Sequence, residues 1–369
     1  MNNKESRLYS FLRRWRRHSE KSQASEELIN HLRNLKIEGA SLGKNGDYTG
    51  AKATLSNALE QASQYPELAS LESRILHELG VLEAAQRHLK AARDFFRQAI
   101  KLESKLGEEI AQSITLLHLA SLETEQQLFS QAIAVYQQAL VLQRKNHDDY
   151  GCALTLHHLA DLYARTGDVA TAIEVYEQVR VSEAYGNNPS AKAAALHQLA
   201  MLKSSQEEFE DALVLYQEAL EVEESINNPS GKAATLCQIA KIYERQQNLD
   251  IALTLYQNSL KLTADNPLEQ AATLHHIGGV KAKQGNFDEA IEIYQQSLEL
   301  KVNQGTPQSI AVTMAKLGKL QAEWQGEFPT ALKNLRQAVV MLQQVGSSEA
   351  QAVSEVITRV EELAKRNAG

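Results

Sequence analysis

Histidine is the side chain in this sequence best placed to do chemistry near neutral pH, and it comes in suggestive company. His157-His158 and His275-His276 are adjacent pairs, and His77 is followed by Glu78. On a helix of 3.6 residues per turn, adjacent side chains diverge by about 100°, so neither pair can share one ion. His157 and Asp161 stand at i and i+4, which puts two ligands on one face. No third or fourth ligand accompanies them, and a zinc site needs them. His77-Glu78 begins an H-E-x-x-H string that ends on Val81, so the metalloprotease pair is missing. Ser230-Gly231-Lys232-Ala233 resembles a phosphate loop, but its upstream Gly falls on Ile226. Ser190-Ala191-Lys192 stands in the same place one repeat earlier, so the stretch is a helix start. No G-x-S-x-G elbow occurs. Cys152 and Cys237 form no Cys-x-x-Cys motif or disulfide framework, which suits a reducing compartment. These readings point to a chain without a catalytic centre, metal or cofactor.

What positions the histidines is a repeat. One column of small residues runs Gly39, Gly80, Ala120, Ala160, Ala200, Ala240, Gly278 and Gly318, at steps of 38 to 41 residues. A fixed period in the range of about twenty to fifty residues marks a stacked-repeat architecture. Ala, Leu, Gln, Glu and Lys dominate over 369 residues with 43% hydrophobic content, and the class is all-α. The reading gives eight helical hairpins, at 26–66, 67–107, 108–147, 148–187, 188–227, 228–265, 266–304 and 305–345.

Each hairpin repeats the same packing residues. Its second helix carries Ala51, Ala92, Ala132, Ala172, Ala212, Ala252 and Ala290, then Ala331 displaced by one residue. A third column runs Ala58, Ala99, Ala139, Val179, Ala219, Ser259, Ser297 and Ala338. Helices sit about 8–10 Å apart, and small side chains permit the closer limit. Between the small columns lie Phe96, Tyr136, Tyr176, Tyr216, Tyr256 and Tyr294, an aromatic row read as core. Gly46, Gly167 and Gly285 suit left-handed residues that end first helices. Asn188-Pro189, Asn228-Pro229 and Asn266-Pro267 read as an N-cap followed by Pro at the first helical position.

Both ends depart from the repeat. Residues 1–25 form a basic amphipathic helix and hinge, with Leu8, Phe11, Leu12 and Trp15 as the stripe and Arg13, Arg14, Arg16 and Arg17 flanking it. Such a helix either caps the first hairpin or lies on an acidic membrane surface. Residues 346–369 read as a capping helix with Ala350, Val353, Ile357, Val360 and Ala364 on one face. The net charge is −8 although residues 1–18 are strongly basic, so the acidic excess lies in the repeats. Nucleic acid is therefore not an expected partner. There is no signal-type apolar run and no stretch of 18 apolar residues, which gives a cytoplasmic reading.

The small residues Ala160, Gly167, Ala172 and Val179, recurring with their spacing from hairpin to hairpin, resemble the tetratricopeptide repeat family. The likeness covers roughly residues 26–345, with units of about 40 residues instead of the usual 34. Longer units of this kind are similar to those of kinesin light chains and of bacterial Rap-type regulators. The resemblance implies a right-handed superhelical solenoid whose first helices line a concave groove, with unit positions two, five, nine and twelve facing it. Position five is Lys36, His77, Leu117, His157, His197, Cys237, His275 and Ala315. Position nine includes Asp161, Met201 and Lys241, and position twelve includes Glu244.

The implied function is a scaffold for a protein or peptide ligand. The expected contacts are His77, His157, Asp161, His197, Met201, Lys241, Glu244 and His275. A peptide-sensing receptor and a membrane-associated assembly factor are the alternatives. Two readings of the histidine column stand: hydrogen bonds to a bound backbone, or bonds to neighbouring side chains that shield the seam between helices. No unit combines Lys at five with Asn at nine, so a clamp for a chaperone's terminal carboxylate is not expected.

Overall fold

The computed structural model describes residues 26–181 and 188–367. The chain divides into two compact units, Met1–Ala184 and Tyr185–Gly369. Helix and turn account for the described residues, with no strand among them.

The first unit holds four hairpins. Its helices are α1 (26–44), α2 (Tyr48–Ala62), α3 (Ala69–Ala85), α4 (Leu89–Leu106), α5 (Glu109–Glu125), α6 (Phe129–Lys145), α7 (Asp149–Arg165) and α8 (Val169–Arg180). The second unit holds α9 (Pro189–Ser205), α10 (Phe209–Ser225), α11 (Pro229–Arg245), α12 (Leu249–Leu262), α13 (Pro267–Lys283), α14 (Phe287–Val302), α15 (Pro307–Leu320), α16 (Phe328–Gln344) and a final α17 (Glu349–Asn367). Odd-numbered helices up to α15 are the first helices of their hairpins and pack on the even-numbered helices that follow them.

The repeated small residues are what let those pairs close. All eight alanines of the second-helix column are completely buried, and the aromatic row is buried too, as are Leu55 and Leu335, which hold its place in the first and last hairpins. A β-carbon added at Gly80 would lie 2.6 Å from the Phe96 ring, so that hairpin is closed more tightly than alanine allows. Ser259 and Ser297 replace alanine in the third column. Each donates to a buried carbonyl, Ala233 at 3.0 Å and Ala271 at 2.6 Å, so the hydroxyl is not left unpaired.

Start and stop signals act as read. Asn188 and Asn228 accept from Ala191 and Gly231 backbone N–H at 3.1 Å, and Asn266 accepts from Leu268 and Glu269. Gly46, Gly167 and Gly285 take φ of 85°, 87° and 83°. Arg87, Gln127, His147, Glu207, Asn227 and Gln247 adopt the same left-handed conformation without glycine, at φ between 52° and 63°. Each accepts a steric cost of about 1–2 kcal/mol that hairpin packing offsets.

The one-residue displacement of Ala331 has a local cause. Gln321–Gln325 form a π-turn at the end of α15, closed by Gly326 at φ 69°, and the wider turn absorbs the extra residue. α17 then places Val353 and Val360 in one cluster with Ala338 and Leu342 of α16. Arg336 and Glu361 pair across that contact at 2.8 Å. Residues 1–25, with Arg13, Arg14, Arg16 and Arg17, lie outside the described residues.

Candidate functional site

Three histidines of the first helices are held by the hairpin that follows. His77 Nδ1 lies 3.0 Å from Thr115 Oγ1, and His275 Nδ1 lies 3.0 Å from Thr313 Oγ1. His197 and Thr235 make the same contact at 3.1 Å, and in all three pairs the separation is 38 residues. Each threonine has a second partner 12 residues before it. Thr115 donates to Glu103 at 3.0 Å, Thr235 to Glu223 at 3.1 Å, and Thr313 accepts from Lys301 at 2.7 Å.

A hydroxyl has one proton; Thr115 can direct it to Glu103 or to the Ala111 carbonyl at 3.2 Å, Thr235 to Glu223, and Thr313 to the Ser309 carbonyl at 3.0 Å. With the proton so placed, the imidazole Nδ1 is the donor and Nε2 the acceptor; with the proton turned to the imidazole, the roles reverse. Burial first, then His118 and Lys36, lowers the His77 pKa to about 4. Burial and neighbouring Lys301 and His276 lower that of His275 to about 3, and burial followed by Lys241 lowers that of His197. The column is therefore neutral at pH 7. Its rings meet Phe96, Tyr216 and Tyr294 at centroid separations of 5.8, 5.4 and 5.4 Å. His157 packs on Tyr176 in the same way, but its buried Nδ1 has no hydrogen-bond partner among the described residues. The residue 38 positions further on is Ala195, which carries no hydroxyl.

The glutamate–threonine–histidine chain has the composition of a nucleophilic relay. Thr115 is 1% exposed, however, so its hydroxyl cannot meet a substrate. The chain fastens one hairpin to the next.

Cavities open along the first helices in both units. In the first unit, one of about 650 Å³ takes in Lys36, Arg74, His77 and Ile114, and another of about 330 Å³ takes in Val81, Leu117, Tyr136 and His158. In the second unit, Met201 and Lys241 share a cavity of about 160 Å³ with Tyr216 and Arg245. Glu244 and His275 share one of about 430 Å³ with Lys283 and Lys319. Glu244 is already engaged there, accepting from Tyr256 at 3.1 Å and pairing with Lys283 at 2.9 Å. Asp161 stands 3.9 Å from Arg165, one turn along α7.

Four glutamates at the seams between helices are not on exposed faces. Glu83, Glu103, Glu123 and Glu223 are buried. Glu83 is held by Lys52 at 2.7 Å and His88 at 2.8 Å, and Arg93 and Arg97 lie within 4 Å of Glu123. The twelve-residue step from Glu103 to Thr115 and from Glu223 to Thr235 is the signal that could have revealed two of them.

Models of the tetratricopeptide repeat match residues 38–105, 112–180, 191–265 and 269–344, which is well over half of the chain. The chain belongs to the tetratricopeptide repeat family. A tetratricopeptide repeat protein from Parabacteroides merdae is similar in structure at a TM-score of 0.56 and 18% identity, over 78% of this chain and 98% of that one. The apo form of RapI is similar at 0.54 and 12% identity, over 73% and 97%. BtubC (BKLC) from P. vanneervenii is similar at 0.51 and 20% identity, over 58% and 91%. No curated protein gives a significant match. At these identities the structural likenesses speak for the fold alone. That fold is the all-α tetratricopeptide repeat solenoid expected from the sequence. No helix among the described residues is long and apolar enough to cross a membrane.

Proposed function

We propose that this tetratricopeptide repeat chain is a non-enzymatic scaffold that binds a peptide or protein segment on the face made by its first helices. The observation that carries the reading is the coincidence on that face of cavities with neutral imidazoles held at Nδ1 by a threonine of the next hairpin. An extended peptide offers backbone N–H donors, and His77, His197 and His275 offer Nε2 acceptors whose Nδ1 is already committed. Partly exposed Val81, Ile114 and Met201 supply apolar contact beside them. His157 and Asp161 belong to the same proposed face, as do Lys241 and Glu244.

The test is selection of displayed dodecapeptides on the full-length chain, followed by binding to two variants. Met201→Glu with Lys241→Glu alters the first-helix face, whereas Val214→Glu alters an exposed position on α10. Selected peptides should lose at least tenfold in affinity on the first variant and keep their affinity on the second. Equal loss on both, or no loss on the first, contradicts the assignment.

A further inference from the structure

The cavity of about 650 Å³ in the first unit is lined by two glutamates, Glu103 and Glu108, each with one carboxylate oxygen buried without a hydrogen-bond partner. Glu103 is 1% exposed. Its Oε1 accepts from Thr115, while its Oε2 is buried without a partner. Glu108 Oε2, lining the same cavity, is likewise buried and unpaired. The other acids around it are answered: Glu78 by Lys36 at 3.4 Å, and Glu109 by Lys145 and by Asn146 at 3.1 Å. Arg74 contributes only its field to Glu103. Buried carboxylate oxygens are ordinarily paired, so two unpaired ones behind one cavity wall leave room for a donor from outside that draws them out.

We infer that this cavity is a subsite for the guanidinium of an arginine side chain on the bound segment. The inference rests on the proposed binding face and assigns it a ligand chemistry. A guanidinium carries five N–H donors and no acceptor, which suits the acceptors that the glutamates and His77 bring to this lining, with Arg74 as the resident donor it would stand beside. Glu103 Oε2 and Glu108 Oε2 are two of these acceptors, and His77 supplies Nε2 as a third when its Nδ1 donates to Thr115. Ile110 and Ile114 line the cavity and are 63% and 47% exposed, so they offer an apolar wall for the arginine methylenes. Burial, with Glu108 adding to it, holds the Glu103 carboxyl up at about 7, and a guanidinium beside it restores the ionised form. Planar, bidentate donation favours arginine over the point charge of lysine.

The experiment titrates the full-length chain with acetyl-Leu-Ala-Arg-Ala-Leu-amide and with the same peptide carrying citrulline, which keeps the shape and removes the charge. Calorimetry gives affinity, and methyl NMR follows Ile110 and Ile114. The arginine peptide should bind, move both methyl signals, and exceed the citrulline peptide by at least tenfold. Glu103→Gln should remove that tenfold preference. Should Glu103→Gln fail to fold, Glu108→Gln provides the same readout. Equal affinity for the two peptides, an unchanged preference in the variants, unmoved isoleucine methyls, or no binding overturns the subsite. Equal affinity with both peptides bound leaves the binding face standing. The face itself is judged separately by the displayed-peptide variants.

Discussion

Replacing Thr115 by Val tests the seam most cleanly, because the two side chains have nearly the same shape and similar helix propensity. The substitution removes one hydroxyl with three partners: His77 Nδ1 at 3.0 Å, Glu103 Oε1 at 3.0 Å and the Ala111 carbonyl at 3.2 Å, the last still bonded within its helix. Each group so orphaned costs about 1–3 kcal/mol. The His77 side chain is half-buried and can turn to water, which puts it at the low end. Glu103 cannot, since it is 1% exposed and its second oxygen is already unpaired. The expected loss is about 2–4 kcal/mol. Native-state hydrogen exchange of α3 and α5 is the assay, because repeat arrays open locally and a single global unfolding energy is ill-defined. Imidazole nitrogen shifts give an independent readout, with the tautomer balance of His77 changing as its Nδ1 loses Thr115. Thr115→Ser keeps the hydroxyl and should cost less than about 1 kcal/mol. A loss under about 0.5 kcal/mol for Val, or an unchanged His77 tautomer, refutes the account of the seam.

Three further outcomes follow from the same geometry. The Glu103 carboxyl is raised in the folded state, so its contribution is fully present below the unfolded pKa and is lost as pH rises toward about 7. Glu103→Gln should flatten that decline and gain up to about 3 kcal/mol at pH 8 by denaturant titration. His77, His275 and His276 are depressed to about 4, 3 and 4, so stability falls as pH drops below the unfolded value near 6.5. Each should cost up to about 2 kcal/mol at pH 5, and His275→Gln should reduce the acid sensitivity measured by thermal melting. Glycine to alanine should change sign with position. Gly279→Ala, whose new carbon meets only the Tyr294 hydroxyl at 3.4 Å, gains about 0.5–1 kcal/mol of helix propensity. Gly80→Ala, at 2.6 Å from the Phe96 ring, loses about 1–2 kcal/mol net in the same melts.

The hairpins were legible because their packing is written locally. Ala172, Tyr176 and Val179 occupy one helical stripe, and Asn188-Pro189 announces the next start whatever surrounds it. Even the shift of Ala331 was visible, although its cause, the π-turn at Gln321–Gln325, was not. Turn conformation was legible only where glycine stood. Gln127 and Gln247 take the same left-handed turn because the hairpin imposes it, and no local residue signals that. The histidine column could be found, but not its partners. His77 meets Thr115 across two helices that a single-helix pattern cannot relate. Glu103 was invisible for the same reason: in its own helix it sits among Lys101, Ser104 and Lys105 and looks like surface.

The central claim is that the first helices form the binding face, and the most direct measurement is hydrogen exchange on the full-length chain with and without a selected peptide. The account predicts slowed exchange confined to first helices, strongest around His77 and Ile114 in α3 and α5 and around Met201 and Lys241 in α9 and α11. Slowing concentrated instead on second helices such as α6 and α10, with the first helices unchanged, would contradict it.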